Sequence, residues 1–125
     1  MDEFYENSEL SALIIKAFYN VYNQLGYGFL EKVYENAMLI ELKKLDLEVK
    51  NQHKIEVYYD NMLVGDYIAD IIVNDSVIVE LKSIKQLAKI HEVQLVNYLK
   101  ATGINVGLLL NFGEKPEITR KYFKD

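Results

Sequence analysis

Ile68-Ala69-Asp70-Ile71-Ile72-Val73-Asn74-Asp75-Ser76-Val77-Ile78-Val79-Glu80-Leu81-Lys82 reads as two Val/Ile-rich strands joined by a short polar turn. Runs this apolar belong inside a sheet, yet they carry Asp70, Glu80 and Lys82. Burying a charge costs several kcal/mol unless it is paired or bound to a metal. The three charges therefore need compensation. On the later strand Ile78, Glu80 and Lys82 share one face; on the earlier one Ile68, Asp70 and Ile72 do. The turn decides whether the carboxylates meet. A two-residue loop, Asn74-Asp75, pairs Asp70 with Val79 and sends the carboxylates to opposite faces. A three-residue loop, Asn74-Asp75-Ser76, pairs Asp70 with Glu80 on one face.

Working outward, Leu10, Leu13, Ile14, Ala17, Phe18, Val21, Tyr22 and Leu25 recur at helical spacing, with Ser8 placed as N-cap and Gly26 as stop. A second helix is expected from about Leu30 to Lys44, with Leu30, Val33, Ala37, Met38 and Leu45 on its apolar face. The period then changes to two. Val49, Ile55, Val57 and Tyr59 mark a first strand ending at a turn near Asp60-Asn61, before strands over about 62–73 and 76–82. Residues 87–101 return to helical spacing, and Val106-Gly107-Leu108-Leu109-Leu110 is a short strand buried on both faces. The tail beyond Gly113, with the lone Pro116, is expected to add a short helix. This order predicts one α/β domain over residues 1–125, its core about 10–111, with helices packed on a mixed central sheet.

Composition narrows the function. Half of the 125 residues are hydrophobic and 26% charged, as in ordinary globular domains. Without cysteine there is no disulfide, thiolate metal site or cysteine nucleophile. The acidic start lacks the form of a secretion signal and no apolar run approaches a membrane span, so the expectation is a cytoplasmic protein without a membrane partner. The net charge of −5 is unevenly spread: residues 1–81 hold 6 Lys and Arg against 15 Asp and Glu, and residues 82–125 hold 8 against 4. Such asymmetry marks either a polyanion-facing side or an unevenly charged solvated surface.

If the carboxylates of Asp70 and Glu80 face each other, they repel by about 4 kcal/mol at roughly 4 Å and an effective dielectric near 20. Lys82 or a divalent cation would offset this. All-oxygen donors suit Mg²⁺ or Mn²⁺, which activate bound water and stabilise charge on a phosphoryl oxygen. The same residues would also suit a cross-strand ion cluster on an exposed face. Gly28-Phe29-Leu30-Glu31-Lys32-Val33-Tyr34 puts Glu31 and Tyr34 on adjacent helical turns. There Glu31 either completes a metal site or complements the helix dipole. On the later helix Gln94 and Tyr98, at i and i+4, are placed to position a phosphate or a water, or Tyr98 simply to pack.

Gly28-x-x-Glu31-x-x-Tyr34 resembles the motif of the GxxExxY family. Asp70, Glu80-Leu81-Lys82 and Gln94-x-x-x-Tyr98 resemble the site of the wider PD-(D/E)XK nuclease superfamily, with Ala69 where that superfamily has proline. The resemblance implies a restriction-endonuclease-like core: a helix, a three-strand meander, a helix and a further strand. It also implies a Mg²⁺-dependent (or Mn²⁺-dependent) phosphodiesterase. Asp70 and Glu80 would hold metal, Glu31 would support metal or water, Lys82 would assist the attacking water, and Gln94 would shape the site. Tyr34, Lys85 and Tyr98 would contact substrate. The expected function is hydrolysis of DNA or RNA. The alternative is a catalytically inactive module binding nucleic acid or protein on the same fold, with specificity drawn from a homodimer or a protein partner.

Overall fold

The computed structural model of the protein describes residues 6–125. Helix α1 (Ser8–Leu25) buries Ile14, Ala17, Phe18 and Val21. Its cap position is Asn7, in a left-handed backbone conformation (φ 53°), so Ser8 is the first helical residue and not the expected cap. Gly26 stops the helix as its type predicts: φ is 67° and its N–H donates to the Tyr22 carbonyl.

Helix α2 (Glu31–Lys44) is rotated from the face expected of it. Leu30 and Val33 are exposed, whereas Tyr34, Glu35, Met38 and Leu42 are buried. Tyr34 accounts for the rotation. Its ring stacks on Phe112 (centroids 4.0 Å apart, planes at 11°), and its hydroxyl donates to the Gly26 carbonyl at 2.7 Å. A large aromatic whose polar tip has a partner outcompetes Leu30 and Val33 for the interior.

Strands β1 (Val49–Tyr59), β2 (Met62–Val73) and β3 (Val77–Lys82) form the meander; α3 (Lys89–Thr102) leads to β4 (Val106–Phe112) and β5 (Pro116–Tyr122). The strands lie in the order β1-β2-β3-β4-β5, antiparallel except for the parallel β3–β4 pair that α3 bridges. The tail is thus a strand and not the short helix expected after Gly113. Pro116 opens an edge strand, where a missing N–H is tolerated, and Ile118 and Tyr122 pack against the core.

The two faces of the sheet carry separate cores. One, with Ile71, Val73, Val77, Val79, Leu108 and Leu110, is covered by α1 and α2. The other joins Ile72, Ile78 and Leu109 to Leu95, Tyr98 and Leu99 of α3. Strand β4 is buried throughout, as its unbroken apolar run predicts. Among the described residues no helix is long and apolar enough to cross a membrane.

The β2–β3 turn takes the three-residue form. Val73 pairs with Val77, Ile72 with Ile78 and Ile71 with Val79. Asn74 and Asp75 adopt φ of 52° and 49°, and Ser76 N–H donates to the Val73 carbonyl at 2.9 Å. Asn and Asp tolerate left-handed backbone better than other residues with a Cβ. This register brings Asp70 opposite Glu80.

Candidate active site

Beyond the Ile71–Val79 pair the backbone ladder between β2 and β3 stops. Side chains take its place. The Asp70 N–H donates to Glu80 Oε2 at 2.8 Å, and the Leu81 N–H donates to Asp70 Oδ2 at 2.8 Å. Each carboxylate therefore caps the opposite strand where the two strands part. Asp70 Oδ1 and Glu80 Oε1 accept no hydrogen bond among the described residues.

β1 is irregular at the same level. It pairs with β2 at Asn51–Ile71 and again at His53–Ala69, and Gln52 between them has φ of 51°. The facing of β2 changes across this point: Ala69 and Ile72 pack on the α3 side, Ile71 on the α1–α2 side. Gln52 is consequently turned toward α2, where its Nε2 donates to Glu35 Oε1 at 2.6 Å. Glu35 is buried and its other oxygen meets Lys32 Nζ at 3.0 Å.

Burial dominates the electrostatics. Glu80 retains only 6% of its accessible surface. Its carboxyl is pushed up to about 8, first by burial and then by the charge of Asp70, against the opposing influence of the Asp70 amide and Lys82. Asp70 is also raised, by burial first, with the Leu81 amide acting against it and the charges of Glu31 and Glu35 adding to it. A carboxylate pair of this kind, one buried and one half-buried, is short of positive charge. Lys82 lies close enough to oppose both shifts, yet among the described residues it forms no ion pair with either carboxylate.

The remaining residues expected at the site divide into three groups. Glu31, exposed at the start of α2, raises both Asp70 and Glu80 through its charge and so belongs to the cluster electrostatically. Tyr98, on α3, is raised to about 12, by burial first and then by Glu80 and Asp70, which keeps its hydroxyl protonated as a donor. Gln94 lies one turn away on α3, half-buried, lining a groove together with Tyr98. Lys85 is exposed on the other side of the site, lining a cleft of about 600 Å³ with Gly28, Glu31 and Ser83. Tyr34, expected to touch substrate, has no exposed surface. It accepts the Phe29 N–H at 3.2 Å besides donating to Gly26, and so holds the loop in front of Glu31.

Three residues at or beside the site went unmarked in the sequence. Glu35 adds negative charge from α2. Tyr67 places its ring centroid 5.8 Å from that of Tyr98. Asn111, fully buried on β4 beside Lys82, accepts the Ile84 N–H at 3.0 Å and donates to Ile84 O at 2.9 Å and Glu117 Oε1 at 2.8 Å. The loop that follows Lys82 is thereby pinned to β4. Ser83 Oγ ties the same loop to Phe29 O at 2.6 Å. A polar residue directly after an unbroken apolar strand was the available sequence signal for Asn111; Glu35 and Tyr67 had none beyond helix and strand position.

The family model of the PD-(D/E)XK nuclease superfamily matches residues 8–121. The chain belongs to the PD-(D/E)XK nuclease superfamily. PD-(D/E)XK proteins are generally nucleases that use divalent metals. The mixed five-stranded sheet flanked by helices is consistent with their restriction-endonuclease-like core. Among solved structures the chain is similar to that of SSO0001, with a TM-score of 0.60 and 16% identity, which is a likeness of fold. The match covers 98% of this chain and 63% of that one, so the present chain spans less than two thirds of SSO0001. No curated protein matches. In this PD-(D/E)XK chain no group of three or more His, Cys, Asp or Glu among the described residues is gathered to hold a metal ion; the candidate donors are the two oxygens left over on Asp70 and Glu80.

Proposed function

We propose that this PD-(D/E)XK chain, of the GxxExxY kind, is a Mg²⁺- or Mn²⁺-dependent hydrolase of phosphodiester bonds in DNA or RNA. The apposition of Asp70 and Glu80 carries the reading: a half-buried and a buried carboxylate, each with one oxygen fixed by a backbone amide and one left over. Such a donor set fits Mg²⁺, which takes one or two carboxylates and fills its remaining positions with water and phosphate oxygens. When bound, a divalent cation would lower the pKa of a water and offset charge on the phosphoryl oxygen.

The protein's part is binding and orientation. Asp70 and Glu80 would hold the cation, and Glu31 would support it, no third carboxylate being grouped with the pair among the described residues. Lys82, which forms no ion pair among the described residues, orients the attacking water and balances the negative site. The Tyr98 hydroxyl, kept protonated, and the Gln94 amide donate to a phosphate oxygen or to that water. Lys85 meets the backbone on the far side.

Cleavage of single- and double-stranded DNA and RNA, with Mg²⁺ or Mn²⁺ against EDTA, tests this directly. Metal-dependent products are expected from the wild type, with losses on the order of 100-fold or more in Glu80→Ala and Lys82→Ala. Absence of metal-dependent cleavage, or cleavage that survives both substitutions, refutes the proposal and leaves a binding module on the same fold.

A further inference from the structure

The β1–β2 ribbon runs past the carboxylates and leaves a groove of about 630 Å³ between itself and α3. Its floor and sides are apolar: Val64, Tyr67, Ile90 and Val93 are all exposed. Gln94 and Asn97 put amides on its α3 side, and among the described residues Lys100 is the one Lys or Arg that lines it. The groove lies beside the candidate active site: Tyr67, which lines it, stands three residues before Asp70 on β2, and Tyr98 lines it from α3 while feeling the charges of Glu80 and Asp70.

Tyr67 is the central feature. Its ring lies against Tyr98 at 5.8 Å, and it remains 46% exposed. Gly65 makes this placement feasible. A Cβ there would come within 2.9 Å of the Tyr67 ring and 3.3 Å of Val57. The chain thus presents a supported aromatic face, flanked by amide groups, beside a site read as phosphodiester-cleaving.

We propose that this groove seats an unpaired nucleobase of the substrate strand, stacked on Tyr67 with its edge toward Gln94 and Asn97, so that the substrate is a single-stranded polynucleotide or a single-stranded stretch. The proposal rests on the nuclease reading for the placement of the scissile phosphate. Charge and shape select the single strand. Duplex binding is driven by neutralising phosphates with Lys and Arg, whereas this groove supplies one lysine in a chain of net charge −5. Stacking needs a base face that pairing partners do not occlude, and it is tolerant of sequence.

The test uses 12-nucleotide DNA and RNA carrying one 2-aminopurine, single-stranded or annealed to a complement, titrated with the full chain in EDTA. The expected result is binding of both single strands with quenching of 2-aminopurine, and binding of the duplexes at least 10-fold weaker. Tyr67→Leu, which keeps apolar bulk but removes the aromatic face, should abolish the quenching and weaken binding by on the order of 10-fold or more. Tyr67→Trp should restore both. Equal or tighter duplex binding, or quenching indifferent to Tyr67→Leu, overturns the proposal. So does a dimer that Tyr67→Leu dissociates while no oligonucleotide binds. Loss of the cleavage reaction with retained Tyr67-dependent quenching would instead remove the nuclease reading alone, and efficient cleavage of duplex with no Tyr67 effect would remove this proposal alone.

Discussion

Replacing Glu80 by glutamine should change how stability depends on pH, and the size of the change follows from the site. Glu80 has an ordinary value of 4.5 and is raised to about 8 in the folded chain. The native protein therefore holds a proton that the unfolded chain sheds near pH 4.5. That stabilising contribution is present in full below pH 4.5 and is lost as pH rises through about 8. Each pKa unit corresponds to about 1.4 kcal/mol, so the metal-free wild type should lose about 4 kcal/mol between pH 5 and pH 8.5 from this group. For a domain of this size that is a fall in Tm on the order of 15 °C. Glutamine cannot titrate, but its carbonyl oxygen can still accept the Asp70 N–H now bound by Oε2. Glu80→Gln should accordingly show a much shallower fall over the same range, since only the raised Asp70 carboxyl of the pair still titrates, and be more stable than wild type at pH 8.5. Thermal unfolding by circular dichroism in EDTA, across pH 5 to 9, reads both curves. A cation bound to the pair should stabilise the wild type at pH 8.5 by about 3 kcal/mol at a hundredfold excess over its Kd, and leave Glu80→Gln unmoved. Parallel pH profiles for the two proteins would refute the reasoning, because Glu80 would then not be a buried carboxyl crowded by Asp70.

Lys82→Met should remove cleavage while keeping the metal-induced rise in Tm. It should also move the Glu80 carboxyl further up, since Lys82 opposes the shift; carboxyl ¹³C titration by NMR checks the direction. Asn111→Leu loses three hydrogen bonds to the loop after Lys82 and to Glu117, and a cost of about 3 kcal/mol is expected in urea unfolding. Tyr34→Phe forfeits its bonds with Gly26 and Phe29, which should cost about 1–2 kcal/mol. If Tyr34 acted on substrate instead, the stability would hold and KM would rise.

The chain order and the two-faced sheet were legible because each strand announces its environment. β4 is apolar at every early position, and β2 and β3 are apolar on either side of a triplet that favours left-handed backbone. The carboxylates could be named, but their meeting hung on one residue of loop length that composition leaves open. β5 was misread because Pro116 suggested a helix start, although Ile118, Arg120 and Tyr122 alternate in the manner of a strand. The rotation of α2 was out of reach locally: Leu30 and Val33 are as apolar as any buried residue, and only the ring of Phe112, nearly 80 residues later, selects Tyr34 over them. That rotation also carried Glu35 inward. The kink at Gln52 left no mark in the sequence, since glutamine has no special tolerance for positive φ.

The parting of β2 from β3 has a mechanical consequence. Past Ile71 the β1–β2 ribbon is an arm joined to the body of the sheet, on its β3 side, by the two amide–carboxylate stitches at Asp70, Glu80 and Leu81. The arm's fulcrum and the candidate site share the same two carboxylates. A load applied at Tyr67 or farther out is therefore delivered to the carboxylates as a change in their spacing, and whatever clamps the carboxylates stiffens the arm in return.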